Sequence, residues 1–441
     1  MIAAVTSGLA LLYCFVWLRI PDALGLALPF QRLLAWSGFL FLCGVLAMGR
    51  SVRTGAATGV FLRFVIVFWA MLAVNLLAQA WYGRQVYLLY FLMDFSKYVA
   101  VFSAAFLTYY TLRRELVEEN RYLRYIIWSG AASLAIVCLL LGLYYLGFRS
   151  DVEILAHSFG GSLGVWPTGG TIPRLAGTTA EPQQLSVVYL TPLMLMLCPE
   201  HIGRYRWVAA LGMAVLLMSQ SKFAVVSLLL LYLFVLMVYP HRRRLLILGG
   251  LALLPVGATV LMRLPTFASL LTEGLSSVAI VERLGNILLL LSIVGQYPLF
   301  GIGAGQFGIY RGEVLYSDPL FDPGYTPNMD FLKVLAEVGL VGFLVIVAML
   351  VTLLRLFYRT GSQLPSSRRP RFLAFQLSAI GILLNMLVGY ELLHVFFWLN
   401  IGFLLYLSET SLEVGGQTDD GSGHSHGGLP DPVDQPEAAL R

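Results

Sequence analysis

The sequence predicts an all-α polytopic membrane protein of about 12 transmembrane helices with two large loops on one face. Three observations carry that expectation. The 441 residues are 58% hydrophobic and only 12% charged, with a mean hydropathy of +0.79, whereas a soluble domain carries about a quarter charged residues. Apolar runs of roughly 20 residues recur along the chain, the length that a bilayer core demands. The basic residues sit in short clusters between those runs, so the net charge of +5 reads as a topology signal rather than a nucleic-acid surface.

The apolar runs fall at 2–19, 30–49, 57–80, 86–111, 122–147, 183–199, 206–220, 223–239, 245–262, 331–358, 371–388 and 390–408, the last two divided at Gly389. The first lacks a basic leading region and a cleavage site and reads as a retained helix. This organises the chain as N-terminal transmembrane helices (1–147), a first loop (148–182), central helices (183–262), a large loop (263–330), C-terminal helices (331–408) and a tail (409–441). Arg50 and Arg53, Arg113 to Arg124, Arg204 and Arg206, Arg242 to Arg244, and Arg355 to Arg371 lie in alternate connections. The positive-inside rule makes those connections and both termini cytoplasmic. The two long loops then share the opposite face, and loops of that length are usually functional. The Gly/Pro/Asp-rich tail reads as disordered, and its "HSH" makes no closed metal site. Cys14, Cys43, Cys138 and Cys198 all lie in apolar stretches and read as small buried hydrophobes.

Charge within a span is expensive and marks either function or a structural tie. Asp94 and Lys97, three apart in "FLMDFSKYVAVF", read first as a mutual ion pair or a tether between helices. Glu391 and His394 share that spacing and read equally as a buried tie or as part of a site. The chain holds three lysines, and the other two, Lys222 and Lys333, both fall at loop-side helix starts. Lys333 stands four residues before Glu337, the spacing of a helical pair. Gly339 and Gly342 follow, a small-residue pair that lets another helix approach closely. The loop "GIGAGQFGIYRG" contains a literal GxGxxG at Gly303, Gly305 and Gly308, but no βαβ unit surrounds it. Its glycines read as places where backbone approaches a ligand or a helix.

Four stretches, in order, resemble the O-antigen ligase/polymerase-like superfamily over about residues 170–405. "RLAGTTAEPQQLSVVYLTPLML" resembles its Arg-x-x-Gly…(Glu/Asn)-Pro element. "SQSKFAVVSLLLL" resembles its Ser-Arg-Gly helix start, with Lys222 at the arginine. "ERLGNILLLLSIVGQYPLFGIGAGQFGIY" is similar to its Arg…Pro-Leu-x-Gly-x-Gly-x-Gly-x-Phe element, and "TPNMDFLKVLAEVGLVGF" to its His-Asn-x-x-Leu…Ala-Glu-x-Gly-x-x-Gly element.

The resemblance implies a bacterial inner-membrane glycosyltransferase with a GT-C-like fold and its active site on the periplasmic face. The implied donor is an undecaprenyl-diphosphate-linked glycan, used with no metal and no other cofactor, and a chain-length regulator is a possible partner alongside membrane lipids. The leaving diphosphate calls for cations, for which Arg174, Lys222, Arg283 and Arg311 are the candidates. Lys222 keeps the charge of the family's arginine but loses its bidentate fork. The acceptor hydroxyl needs a base; Arg283, Glu181 and Glu337 are the catalytic candidates, with His157, Asp318, Asp322 and Asp330 also within the loops or at their edges. Glu181 is also favoured by a helix dipole, and Glu337 by pairing with Lys333. Gly301, Gly303, Gly305 and Asn328 are packing positions around the loop. Where ligases carry a histidine before asparagine, this chain has Pro327 followed by Asn328, which favours a polymerase over a ligase that serves lipid A core. A lipid-linked glycan transporter is the non-enzyme alternative, and it calls for internal repeats and a charge track that the sequence does not display.

Overall fold

The computed structural model describes residues 1–16, 18, 30–47, 55–83, 86–148, 164–166, 174–179, 181–244, 247, 278–314, 327, 329–387, 389 and 392–419. In chain order the helices are α1 (Ile2–Leu11), α2 (Phe30–Ala47), α3 (Ala56–Trp81), α4 (Leu88–Arg113), α5 (Glu119–Tyr145), α6 (Pro182–Val188), α7 (Leu190–Met196), α8 (Pro199–Met218), α9 (Lys222–Val238), α10 (Val278–Gln296), α11 (Phe307–Val314), α12 (Asp330–Gln363), α13 (Arg369–Asn385) and α14 (Val395–Asp419). Between α5 and α6 lies an antiparallel ribbon of β1 (Gly164–Trp166) and β2 (Arg174–Gly177), with Trp166 opposite Arg174.

Eleven of the twelve apolar runs overlap helices, and the remaining one, 245–262, lies outside the described residues apart from Ile247. Run 183–199 becomes two short helices, α6 and α7, which meet at Tyr189. Four described helices are long and apolar enough to cross a membrane: α3, α4, α5 and α12. Their lipid-type exposure is plain in Leu77, Leu89, Leu139 and Leu344, each more than half exposed, as a bilayer rather than water permits. The segment 263–330, read as a loop, carries α10 and α11 within it. Leu290 and Ile293 of α10 bury against Ile302, Phe307 and Ala336, which gives this segment a small core of its own.

The main core is aromatic. Phe61, Phe68, Tyr98, Phe102 and Trp398 interleave between α3, α4 and α14, with Phe102 edge-on to Trp398 at 4.6 Å. Gly402 of α14 lets that helix lie against the Ala105 carbonyl of α4.

One end of the bundle is fastened by charge. Arg371 donates to both carboxylate oxygens of Glu200 (2.6 and 2.9 Å) and to Glu119 (2.7 Å), and the Tyr406 hydroxyl also donates to Glu119 (3.2 Å). Thus α5, α8 and α13 meet at a single guanidinium, and α14 joins them through Glu119. Arg371→Ala is expected to destabilise the protein by about 1–3 kcal/mol, the scale of hydrogen bonds to charged groups. Arg371→Lys is expected not to restore it, because an ammonium cannot span two carboxylates as the fork does. Thermal unfolding of the detergent-solubilised variants measures both.

Candidate functional site

The opposite end of the bundle holds a helix that is broken on purpose. Inside α12 the helical course stops at Gly339 (φ 74°, ψ −179°). Continuing it would pair Leu340 N–H with the Ala336 carbonyl and Val341 N–H with that of Glu337. The segment Pro298–Gly303 inserts there instead. Ile302 and Gly303 donate to the carbonyls of Ala336 and Glu337 (both 2.9 Å), while Leu340 and Val341 donate to those of Pro298 and Leu299 (2.8 and 3.3 Å). These four backbone groups of the broken helix thus find partners in the insert, the condition for non-helical chain at membrane depth.

Glycine is required on both sides of this insertion. Gly301 (φ 63°) lies against the Ala336 and Glu337 backbone, and a Cβ at Gly339 would run into the Leu299 carbonyl. Gly305 (φ 73°) lies equally close to the Tyr90 carbonyl, and Gly303 also has positive φ (104°). The close approach read from Gly339 and Gly342 is therefore realised at Gly339, but against a turn segment rather than a helix.

Amides of α3 lock the insertion. Asn75 Nδ2 donates to the carbonyls of Glu337 (3.1 Å) and Phe300, and its Oδ1 accepts from Ala304 N–H (3.2 Å). Gln79 donates to the Gly301 carbonyl (2.9 Å). Gln306 adds a two-way amide link to the Tyr87 backbone (3.1 and 3.2 Å). Asn75 and Gln79 carry no charge and do not stand out among the polar residues of the spans. Their signal was present as two amides in the apolar stretch "VNLLAQAW".

A buried charge network sits directly beneath. Asp94 accepts from Lys97 (2.5 Å) and Lys333 (3.1 Å), and Lys333 stands 3.7 Å from Glu337. Asp94, Lys333 and Glu337 are each 2–4% exposed. Glu337 also accepts from the Phe307 N–H (3.1 Å), the first amide of α11, where a helix N-terminus favours a carboxylate. The expected pairs Asp94/Lys97 and Lys333/Glu337 both form, and Lys333 additionally joins them into one network across α4 and α12.

From there a line of bonds runs across the bundle. Asp330 accepts from Leu392 N–H (2.6 Å) and donates its own N–H to the Gly389 carbonyl (3.0 Å). His394, 6% exposed, lies 2.9 Å from the Gln184 amide nitrogen, and Arg32 reaches the Leu393 carbonyl (3.5 Å). Gln184 belongs to α6, which packs against both β2 and α9. Motifs separated by two hundred residues are thus brought to one end through His394.

The other candidates fall around this line. Glu181 is the N-cap residue of α6, directly before Pro182. Lys222 is the first residue of α9 and is exposed. Arg174 lies in β2, Arg283 in α10, and Arg311, half-buried, in the last turn of α11. Asn328 and Glu391, like His157, Asp318 and Asp322, lie outside the described residues. Among the described residues no group of three metal-ligating side chains comes together.

An apolar helical bundle that gathers buried charge and a broken helix at one end defines a membrane protein with a polar site at that end. Residues 207–347 match the family model described as O-antigen ligase. That match, over about a third of the chain, supports the resemblance to the O-antigen ligase/polymerase-like family. No curated protein matches the chain. The matched stretch contains Lys222, Arg283, the glycine segment, Lys333, Glu337 and the Gly339 break, while Arg174, Glu181 and His394 lie outside it.

Proposed function

We propose that the chain is a bacterial inner-membrane polysaccharide polymerase that transfers an undecaprenyl-diphosphate-linked glycan onto a lipid-linked repeat unit at the periplasmic face. The observation that carries this reading is the family match over 207–347, which spans the broken helix and its glycine insert. In the reaction the acceptor hydroxyl oxygen bonds to the donor's anomeric carbon, the bond from that carbon to the phosphate oxygen breaks, and lipid diphosphate leaves. Cations on the diphosphate stabilise the charge that develops there. Lys222, Arg174, Arg283 and Arg311 are the residues we assign to that task, without metal. Lys222 and Arg174 are supported by the packing of both β2 and α9 against α6.

The acceptor proton goes to a carboxylate, for which Glu181 is our assignment at the start of α6. Glu337 is engaged by Lys333 and by the Phe307 N–H. Its part in catalysis is therefore to hold α11, and with it Arg311, in place. A ligase reading is favoured by the description of the matching family itself; Pro327, at the position of the ligases' histidine, weighs for the polymerase. A glycan transporter is the third reading, and a chain-length regulator is a partner consistent with the first.

Glycan profiles separate the three. Cells lacking the chain should carry single repeat units, and the wild-type gene should restore a ladder that Arg283→Ala does not. Full-length glycan that stays on its lipid carrier in the deletion strain would establish the ligase instead. Repeat units trapped on the cytoplasmic leaflet would establish the transporter.

A further inference from the structure

The lipid-facing surface between α3 and α12 carries a groove of about 600 Å³ that the glycosyl-transfer reading does not use. Val60, Phe64 and Val67 form one wall and Leu344 and Ala348 the other, and one cation, Arg63, stands among them. An arginine inside a span costs about 2.5–3.5 kcal/mol on insertion scales and calls for a reason. Arg63 is exposed, and its guanidinium has no hydrogen bond or ion pair among the described residues. Nor does it belong to the polar site. Asn75 and Gln79 mark that end of α3, and Arg63 lies three turns back toward the end fastened by Arg371.

The groove opens onto further positive charge. The helical repeat carries the face of Ala348 through Arg355 to Arg359, within 20° of the same direction by 100° steps per residue. Both arginines are exposed, and neither side chain has a partner among the described residues. Side chains lean toward the N-terminus of their own helix. Since α3 and α12 run antiparallel, Arg63 of the groove lining and Arg355, two turns beyond Ala348, lean toward each other along the helix axes.

We propose that this groove is a binding site for an anionic phospholipid of the surrounding bilayer. One acyl chain lies along Val60, Phe64, Leu344 and Ala348, and the phosphate lies between Arg63 and Arg355. Charge complementarity selects the occupant. An apolar slot with a basic mouth at the end where the chain's arginines cluster fits an anionic headgroup. A zwitterionic lipid gains the slot but leaves the guanidinium groups uncompensated. The groove wall begins at Leu340, the residue after the Gly339 break, so the occupant also braces the lower half of the broken helix.

The test uses the purified full-length chain with dioleoyl-phosphatidylglycerol or dioleoyl-phosphatidylcholine, read by native mass spectrometry and thermal unfolding. The wild type should retain one phosphatidylglycerol more than the R63Q/R355Q double variant and should melt higher with phosphatidylglycerol than with phosphatidylcholine. The double variant should lose that difference. Ala348→Phe, which fills the slot and keeps both arginines, should lose the retained lipid as well. Equal retention of the two lipids by the wild type would overturn the proposal, as would unchanged retention in either variant. A dimer that Ala348→Phe dissolves would overturn it too, by making the groove a contact between copies. So would undecaprenyl phosphate that displaces phosphatidylglycerol from wild type and binds R63Q/R355Q equally well, because the slot would then belong to a lipid-linked substrate.

Discussion

Gly339→Ala should cost at least about 3 kcal/mol of stability and leave little monodisperse protein after extraction. A side chain at φ 74°, ψ −179° meets a backbone region that is essentially reserved for glycine, at about 1–3 kcal/mol. The added methyl also runs into the Leu299 carbonyl, so the four hydrogen bonds of the insertion cannot all survive. Each is worth about 1 kcal/mol when paired and more when a buried partner is orphaned. Gly295→Ala is the matched control. It lies in α10 with open space around it, so alanine there should be neutral or stabilising by up to about 1 kcal/mol. Thermal unfolding of the two variants in one detergent makes the comparison. Equal melting would mean that the break at Gly339 is not held as described.

Lys333→Met should be the most damaging change to a single side chain at the polar end, at about 3–5 kcal/mol, the cost of removing one partner from a buried ion network. Lys333 is the link that Asp94 and Glu337 share. Its loss leaves Asp94 with Lys97 alone and Glu337 with the Phe307 N–H. The double variant Asp94→Asn/Lys333→Met should recover part of that loss, because the buried negative charge goes with its partner. A double-mutant cycle isolates the coupling, expected at roughly 1–3 kcal/mol for residues in one network. Additive effects would show that the 3.1 Å pair contributes nothing of its own.

The helices were legible because a bilayer imposes a length and a composition that a sequence displays directly. The short-range pairs were legible for a similar reason: Asp94 with Lys97 and Lys333 with Glu337 are set by helical spacing alone. Lys333 with Asp94 joins two helices 239 positions apart in sequence, and no spacing rule reaches that far. The break at Gly339 was hidden by its surroundings. A glycine in an apolar run reads as a packing surface, and only the inserted segment Pro298–Gly303 reveals that the helix stops there. Asn75 and Gln79 escaped because neutral amides barely disturb hydropathy, although unmatched amides at membrane depth are as much in need of a partner as charges. Arg32 of α2, Gln184 of α6 and His394, just before α14, come together from distant parts of the chain, which periodicity does not report.

Glycosyl transfer from a lipid diphosphate is tested most directly with the purified chain in nanodiscs. The substrate would be lipid-linked repeat units extracted from the native cells after deletion of the chain. A polymerase should give a ladder of lengthened lipid-linked glycans with one lipid diphosphate released per bond formed, unchanged by EDTA and absent with Arg283→Ala. Repeat units that stay single, with no lipid diphosphate released, would contradict it.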